Sequence, residues 1–274
     1  MKVAVVVSGQ SRVWRAYPNL VENFIAPHKA DVYVATWDEP PYHEKLLAAV
    51  KPKASIIHPP GKYVEVKHEF WARYSSLIES VKERSRRKDI LDGRWGFYIG
   101  LDDNGVDKWR RFTVDNTLRQ AFLMSEVIKL VPEGYDYIIR CRPDSKAKSA
   151  IHLSEMKDNE VGGPVNHYYI NARNPIWSHC SDQVLIGKPV IMNKVMRMWD
   201  HLPEFVREVE DSIHSTLSLN WLHPEQSLWR YIERCGGKPV PLNILCHLAK
   251  PSAQYGDNFW SRTSGTSKPV VLND

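Results

Sequence analysis

Two arginines and an aspartate stand together at Arg140-Cys141-Arg142-Pro143-Asp144, at the end of a strand-like run, Tyr135 to Asp144. Strand period two turns Arg140 and Arg142 to one face. Buried charge must be paired. A diphosphate held by the arginines, with a divalent cation on Asp144, would satisfy all three groups, and a local Arg–Asp salt bridge is the alternative. Three further groups fall at predicted strand ends. Ser8-Gly9-Gln10-Ser11-Arg12 offers small residues for a close backbone approach and a guanidinium for phosphate. It is neither a P-loop nor a GxGxxG fingerprint, and a plain tight turn is the other reading. Trp37-Asp38 offers a carboxylate for ribose hydroxyls with an indole beside it, or a helix cap. Asp182 (SDQVLIG) and Glu225 (HPEQSLW) are carboxylates able to act as general base on a hydroxyl. Each has a bland alternative as a loop acid or a helix-opening acid. His247 lies in the apolar run ILCHL and reads first as a core histidine.

The elements that must position these groups follow from apolar patterning. Val3 to Val7 is a continuous apolar run closed by Ser8-Gly9, the mark of a strand buried on both faces. A helix from about Tyr17 to Ile25, a strand Asp31 to Thr36, a helix His43 to Val50 and a strand Ala54 to His58 complete a β-α-β-α-β series. That alternation predicts a parallel, doubly wound sheet. In such sheets ligands bind outside the carboxyl ends of the strands, where the four groups converge. Residues 62–111 look like an insertion over one sheet edge, bearing Phe70, Trp71, Tyr74 and Trp95. Thr113 is expected to cap a long helix to about Val131, stopped by Pro132 and Gly134. Gly162-Gly163-Pro164 reads as a loose turn and Gln183 to Gly187 as a strand. Helices are expected at about Pro189 to His201, Glu204 to Leu217 and Glu225 to Cys235, and a Ser-, Gly- and Thr-rich tail over 251–274.

With 274 residues, 43% hydrophobic and 25% charged, the chain fits one large domain with an ample core. No apolar run reaches the eighteen residues of a membrane span, and the opening run is expected to be a strand rather than a signal segment. Four cysteines without CxxC spacing suit reduced thiols in a cytosol. The +5 formal charge is compatible with nucleic acid, an anionic surface or a phosphorylated small molecule. Its one dense basic run, Lys82 to Lys88, reads as a solvated face. Ten tryptophans hint at sugar-binding surfaces, although most tryptophans in any chain are packing residues.

The segments VVVSGQSR, ADVYVATWD, YDYIIRCRPD, SDQVLIGKPVIM and HPEQSLWRYI, in this order, resemble nucleotide-sugar glycosyltransferases of GT-A type. The likeness is to WavE-like lipopolysaccharide or capsule enzymes and to glycosyltransferases of large DNA viruses. It implies a single GT-A-like (Rossmann-like) α/β domain with a mostly parallel sheet flanked by helices. It also implies sugar transfer from a UDP-, GDP- or dTDP-sugar to a glycan hydroxyl in polysaccharide or glycoprotein synthesis. The donor would meet Ser8, Gly9, Gln10, Arg12, Trp37, Asp38, Arg119, Arg140 and Arg142. Asp144 would stand where the family places its DxD motif, either binding Mn²⁺ or Mg²⁺ with a distant ligand such as His247, or with a cationic side chain such as Lys146 partly replacing the metal. The chain departs from that motif, since Asp144-Ser145-Lys146 has lysine for the second acid. Asp182 is expected as the base and Glu225, in a segment similar to the family's acceptor motif, as the residue that positions the acceptor. A nucleotidyltransferase, or a non-catalytic carbohydrate- or nucleotide-binding module, is the alternative. The first should show a longer Gly-rich loop, and the second leaves the strand-end RCRPD unexplained.

Overall fold

A computed structural model describes residues 1–11, 13–59, 118–153, 155–167, 180–202, 204–205 and 224–249. The strands are β1 (Val3–Ser8), β2 (Asp31–Trp37), β3 (Ala54–His58), β4 (Tyr137–Cys141) and β5 (Ser145–Ala147). They continue with β6 (Glu160–Pro164), β7 (Val184–Gly187), β8 (Lys238–Leu242) and β9 (Cys246–Leu248). Seven of them form one sheet in the order β3-β2-β1-β4-β7-β6-β8, and β5 pairs with β9 in a separate ribbon. The sheet is mostly parallel. Among the described strands only β7 runs against its neighbours, β4 and β6.

The expected β-α-β-α-β opening is present. Its first helix runs as an α-turn, Tyr17–Leu20, that widens into a π-turn over Val21–Ile25, and the second spans Tyr42–Val50. Beyond the opening, residues 118–128 are helical. A shorter helix, Pro189–Val195, and a separate 3₁₀ turn, Met198–His201, replace the single helix expected there. The last helix among the described residues is Pro224–Arg234. The insertion at 62–111, most of the helix expected at 204–217 and the tail at 251–274 lie outside the described residues.

Period-two alternation divides the core in two. Ala4, Val6, Tyr33, Ala35, Ile138 and Leu185 face Phe122, Val127, Ile191, Leu228 and Ile232 of the helices on one side. Val5, Val7, Val34, Ile139 and Ile186 face Tyr17, Leu20, Phe24 and Leu46 on the other. A sheet covered on both faces explains why β1 reads as an unbroken apolar run. Fully burying a valine contributes about 1.5–3 kcal/mol, so the four valines of β1 anchor the domain.

The Gly162-Gly163-Pro164 stretch is not a turn. It is the end of β6, paired in parallel with β8 and antiparallel with β7. Glycine and proline hide a strand from any propensity reading. Here Gly162 has a packing reason, since a Cβ at that position would collide with the Leu242 side chain of β8.

Candidate functional site

The carboxyl ends of β1, β2 and β4 lie along one edge of the sheet. Because β7 runs the other way, its start delivers Asp182 and Gln183 to that same edge, beside the end of β4. Arg142 there donates from Nε and Nη2 to the two carboxylate oxygens of Asp144, each at 2.9 Å. From Nη1 it donates to Asp182 Oδ2, also at 2.9 Å. One guanidinium thus bridges two acids from separate segments of the chain, the second of them forty residues beyond Arg142 itself.

Arg140 lies beneath this bridge with no solvent exposure. Its Nε donates to Ser8 Oγ at 3.1 Å, and it also donates to the backbone carbonyls of Ser8 and Asp182. Burial lowers its pKa to about 10, with Asp182 opposing, so it stays protonated at neutral pH. Burial alone would lower Arg142 as well, but Asp182 and Asp144 outweigh it and raise that pKa. For Asp182 burial raises the pKa, Arg142 pulls it back, and Glu225 pushes it up again. That influence places Glu225 within electrostatic reach of Asp182. The link is built through Cys180, whose N–H donates to the Glu225 carbonyl at 3.5 Å, two residues before Asp182. Glu225 opens the helix Pro224–Arg234 and is half-buried.

The first strand joins the site through its glycine. Gly9 has φ +146°, and a Cβ on it would stand 2.9 Å from Pro143 Cδ. Thr36 of β2 donates to its carbonyl at 2.8 Å. Beside it the Tyr17 hydroxyl donates to the Ser11 carbonyl. Burial, then Asp144, then Glu39 raise the pKa of that phenol. Gly9→Ala is therefore expected to destabilise the domain by about 1–3 kcal/mol through backbone strain and the Pro143 clash. It should displace Asp144 as well. Urea denaturation checks the first effect, and nucleotide titration of the folded variant checks the second.

The remaining expected residues divide. Ser8 is buried and serves Arg140, while Gln10 is half-buried in the turn and Arg12 lies outside the described residues. Trp37 is a correction. The strand continues through it, so period two turns its indole onto the face of Tyr33 and Ala35, stacked on Phe122 at 5.9 Å and only 4% exposed. It packs in the core, where the sequence reading expected it to stand open to a ligand. Asp38 remains half exposed, its N–H donating to the His58 carbonyl at 2.8 Å and its carboxylate 3.5 Å from His43 Nδ1. Arg119 is half-buried in the helical stretch 118–128. Its neighbour Gln120, absent from the sequence reading, donates to the Asp182 carbonyl at 3.1 Å. No local pattern marks Gln120, because only the packing of that helix on the sheet brings it to Asp182.

His247 sits on β9 directly opposite Lys146 of β5, and the Ala249 N–H donates to the Asp144 carbonyl at 2.8 Å. The ribbon therefore pairs His247 with Lys146, two residues along the chain from Asp144. Among the described residues no group of three or more His, Cys, Asp or Glu side chains is arranged to hold a metal ion. Both oxygens of Asp144 already accept from Arg142. These residues do not, by themselves, fit a divalent cation.

Comparison with protein-family models finds no match, and comparison with curated proteins finds no relative. The fold and the site define a class: an α/β protein whose mostly parallel seven-stranded sheet carries a buried arginine–carboxylate cluster at its carboxyl edge. Among the described residues no helix is long and apolar enough to cross a membrane.

Proposed function

We propose that the chain is a GT-A-type glycosyltransferase that moves a sugar from a UDP-, GDP- or dTDP-sugar to a hydroxyl of a glycan acceptor, working in the cytosol on surface polysaccharide or glycoprotein glycans. One observation carries the reading. Two arginines and two carboxylates from separate segments are joined at the carboxyl edge of a mostly parallel sheet, where such sheets bind ligands, and the backbone of Glu225 is tied to Cys180 two residues before Asp182.

Transfer needs two things from the protein. Negative charge developing on the leaving diphosphate must be neutralised, and an acceptor hydroxyl must lose its proton as it attacks the anomeric carbon. Arg142 and the buried Arg140 beneath it supply fixed positive charge in a water-poor setting, where it acts most strongly. Arg142 has five N–H donors, and three are used on Asp144 and Asp182, which leaves two to reach an oxyanion.

The two candidate bases differ in access. Asp182 is 5% exposed and ion-paired. Glu225 is half-buried on a rigid helix start, a better mount for a group that must meet a substrate hydroxyl. On this ground the roles expected from sequence are exchanged in our reading. Glu225 takes the proton if the anomeric configuration inverts, and Asp182 holds Arg142 in place. A thermal-shift panel tests the donor half. Nucleoside diphosphates and their sugars should raise Tm, whereas stabilisation by free glycans alone would favour a carbohydrate-binding module.

A further inference from the structure

We infer that this site neutralises the diphosphate with Arg142 and Lys146 in place of a divalent cation, so that donor binding is cation-independent. The inference rests on the donor reading above and adds how the anionic part of the donor is held. Three observations lead to it. First, Asp144, the acid at the expected metal position, is chelated on both oxygens by Arg142 at 2.9 Å. A divalent cation seated on that carboxylate would sit against a guanidinium, and like charges at such range repel strongly where water is scarce.

Second, the other nearby acid is committed to the same guanidinium, since Arg142 Nη1 donates to Asp182 Oδ2. The residues Arg140, Arg142 and Lys146 carry three positive charges against the three negative ones of Asp144, Asp182 and Glu225. A pocket built to hold a divalent cation needs an excess of carboxylate, and this cluster has none.

Third, Lys146 is placed to act. Ser145 and Ala147 on either side of it are buried, so Lys146 faces the opposite side of β5, and it follows the Arg142-bound Asp144 by two residues across the turn that opens the strand. It is half-buried and makes no ion pair with a described residue. An ammonium on a flexible stem is a good point-charge partner for phosphate, and here its stem is held by a strand locked to β9 through His247.

The test is calorimetric titration of the full chain with UDP, GDP and dTDP, in Mn²⁺ and separately in EDTA. The expected result is a Kd for the preferred nucleotide that agrees within about twofold between the two buffers. Lys146→Ala should weaken binding about tenfold in both, and Lys146→Arg should retain it. Lys146→Asp, which supplies a second acid two residues after Asp144, should bind the nucleotide only when Mn²⁺ is present. Wild-type binding at least tenfold tighter in Mn²⁺ than in EDTA overturns the inference and leaves the donor reading standing. Unchanged affinity in Lys146→Ala overturns the role of the lysine. Failure of all three nucleotides to bind in either buffer overturns the donor reading, and the inference with it.

Discussion

Arg140→Met is expected to lower the unfolding free energy by about 3–5 kcal/mol, the range for stripping one partner from a buried charged network. The side chain has no solvent exposure, and it ties Ser8 at the end of β1 to Asp182 at the start of β7. Methionine fills much of the same volume, so the loss comes mainly from acceptors left without donors rather than from a cavity. At roughly 2–4 °C per kcal/mol for a chain somewhat smaller than this one, a fall in Tm of about 6–20 °C should be seen by calorimetry. Arg140→Lys should recover little of it, because an ammonium cannot spread its donors over three acceptors as the guanidinium fork does. A loss below 1 kcal/mol in the methionine variant would show that the guanidinium does not hold these two strand ends together.

Glu225→Gln is expected to reduce kcat by a factor on the order of 10²–10⁴, the usual contribution of a positioned general base, with donor affinity and Tm little changed. Glutamine keeps the shape of the side chain and its place in the first turn of the helix but cannot accept the acceptor's proton. Asp182→Asn should behave differently. It removes the negative charge facing Arg142 at 2.9 Å, so its effect should fall on stability and on donor affinity together. Steady-state kinetics with calorimetry on both variants separates the roles. A folded Asp182→Asn protein with normal donor affinity and abolished turnover, beside an active Glu225→Gln protein, would return the base to Asp182.

The parts of this fold legible in sequence are those whose side chains state their surroundings. Strands β2, β1 and β4 are readable because burial on both faces demands apolar runs, and Val3 to Val7 is such a run, whereas β3, partly exposed at the sheet edge, shows through its place in the β-α-β-α-β series. The strands β6 and β8 were hidden. Glu160–Pro164 carries two glycines and a proline, and Lys238–Leu242 has proline at alternate positions, tolerated at the rim of a sheet. The three-residue strands β5 and β9 are too short to show any period.

The site divides in the same way. The Arg142–Asp144 pairing is local and could be read from their spacing. The second partner, Asp182, depends on β7 running antiparallel, a fact that four apolar residues do not encode. Trp37 misled because the end of β2 lies one residue later than its apolar run suggested. That single residue decides whether an indole faces the core or a ligand.

The most direct test of the glycosyltransferase reading is turnover of the donor itself. The protein is incubated with UDP-, GDP- and dTDP-sugars, with and without a mixture of glycan acceptors, and free nucleoside diphosphate is measured. The expected result is release from sugars of one nucleotide base, faster with acceptor present and reduced by a factor on the order of 10²–10⁴ in Glu225→Gln. No diphosphate release from any donor, together with pyrophosphate release when a nucleoside triphosphate and a sugar phosphate are supplied, would contradict it and identify a nucleotidyltransferase instead.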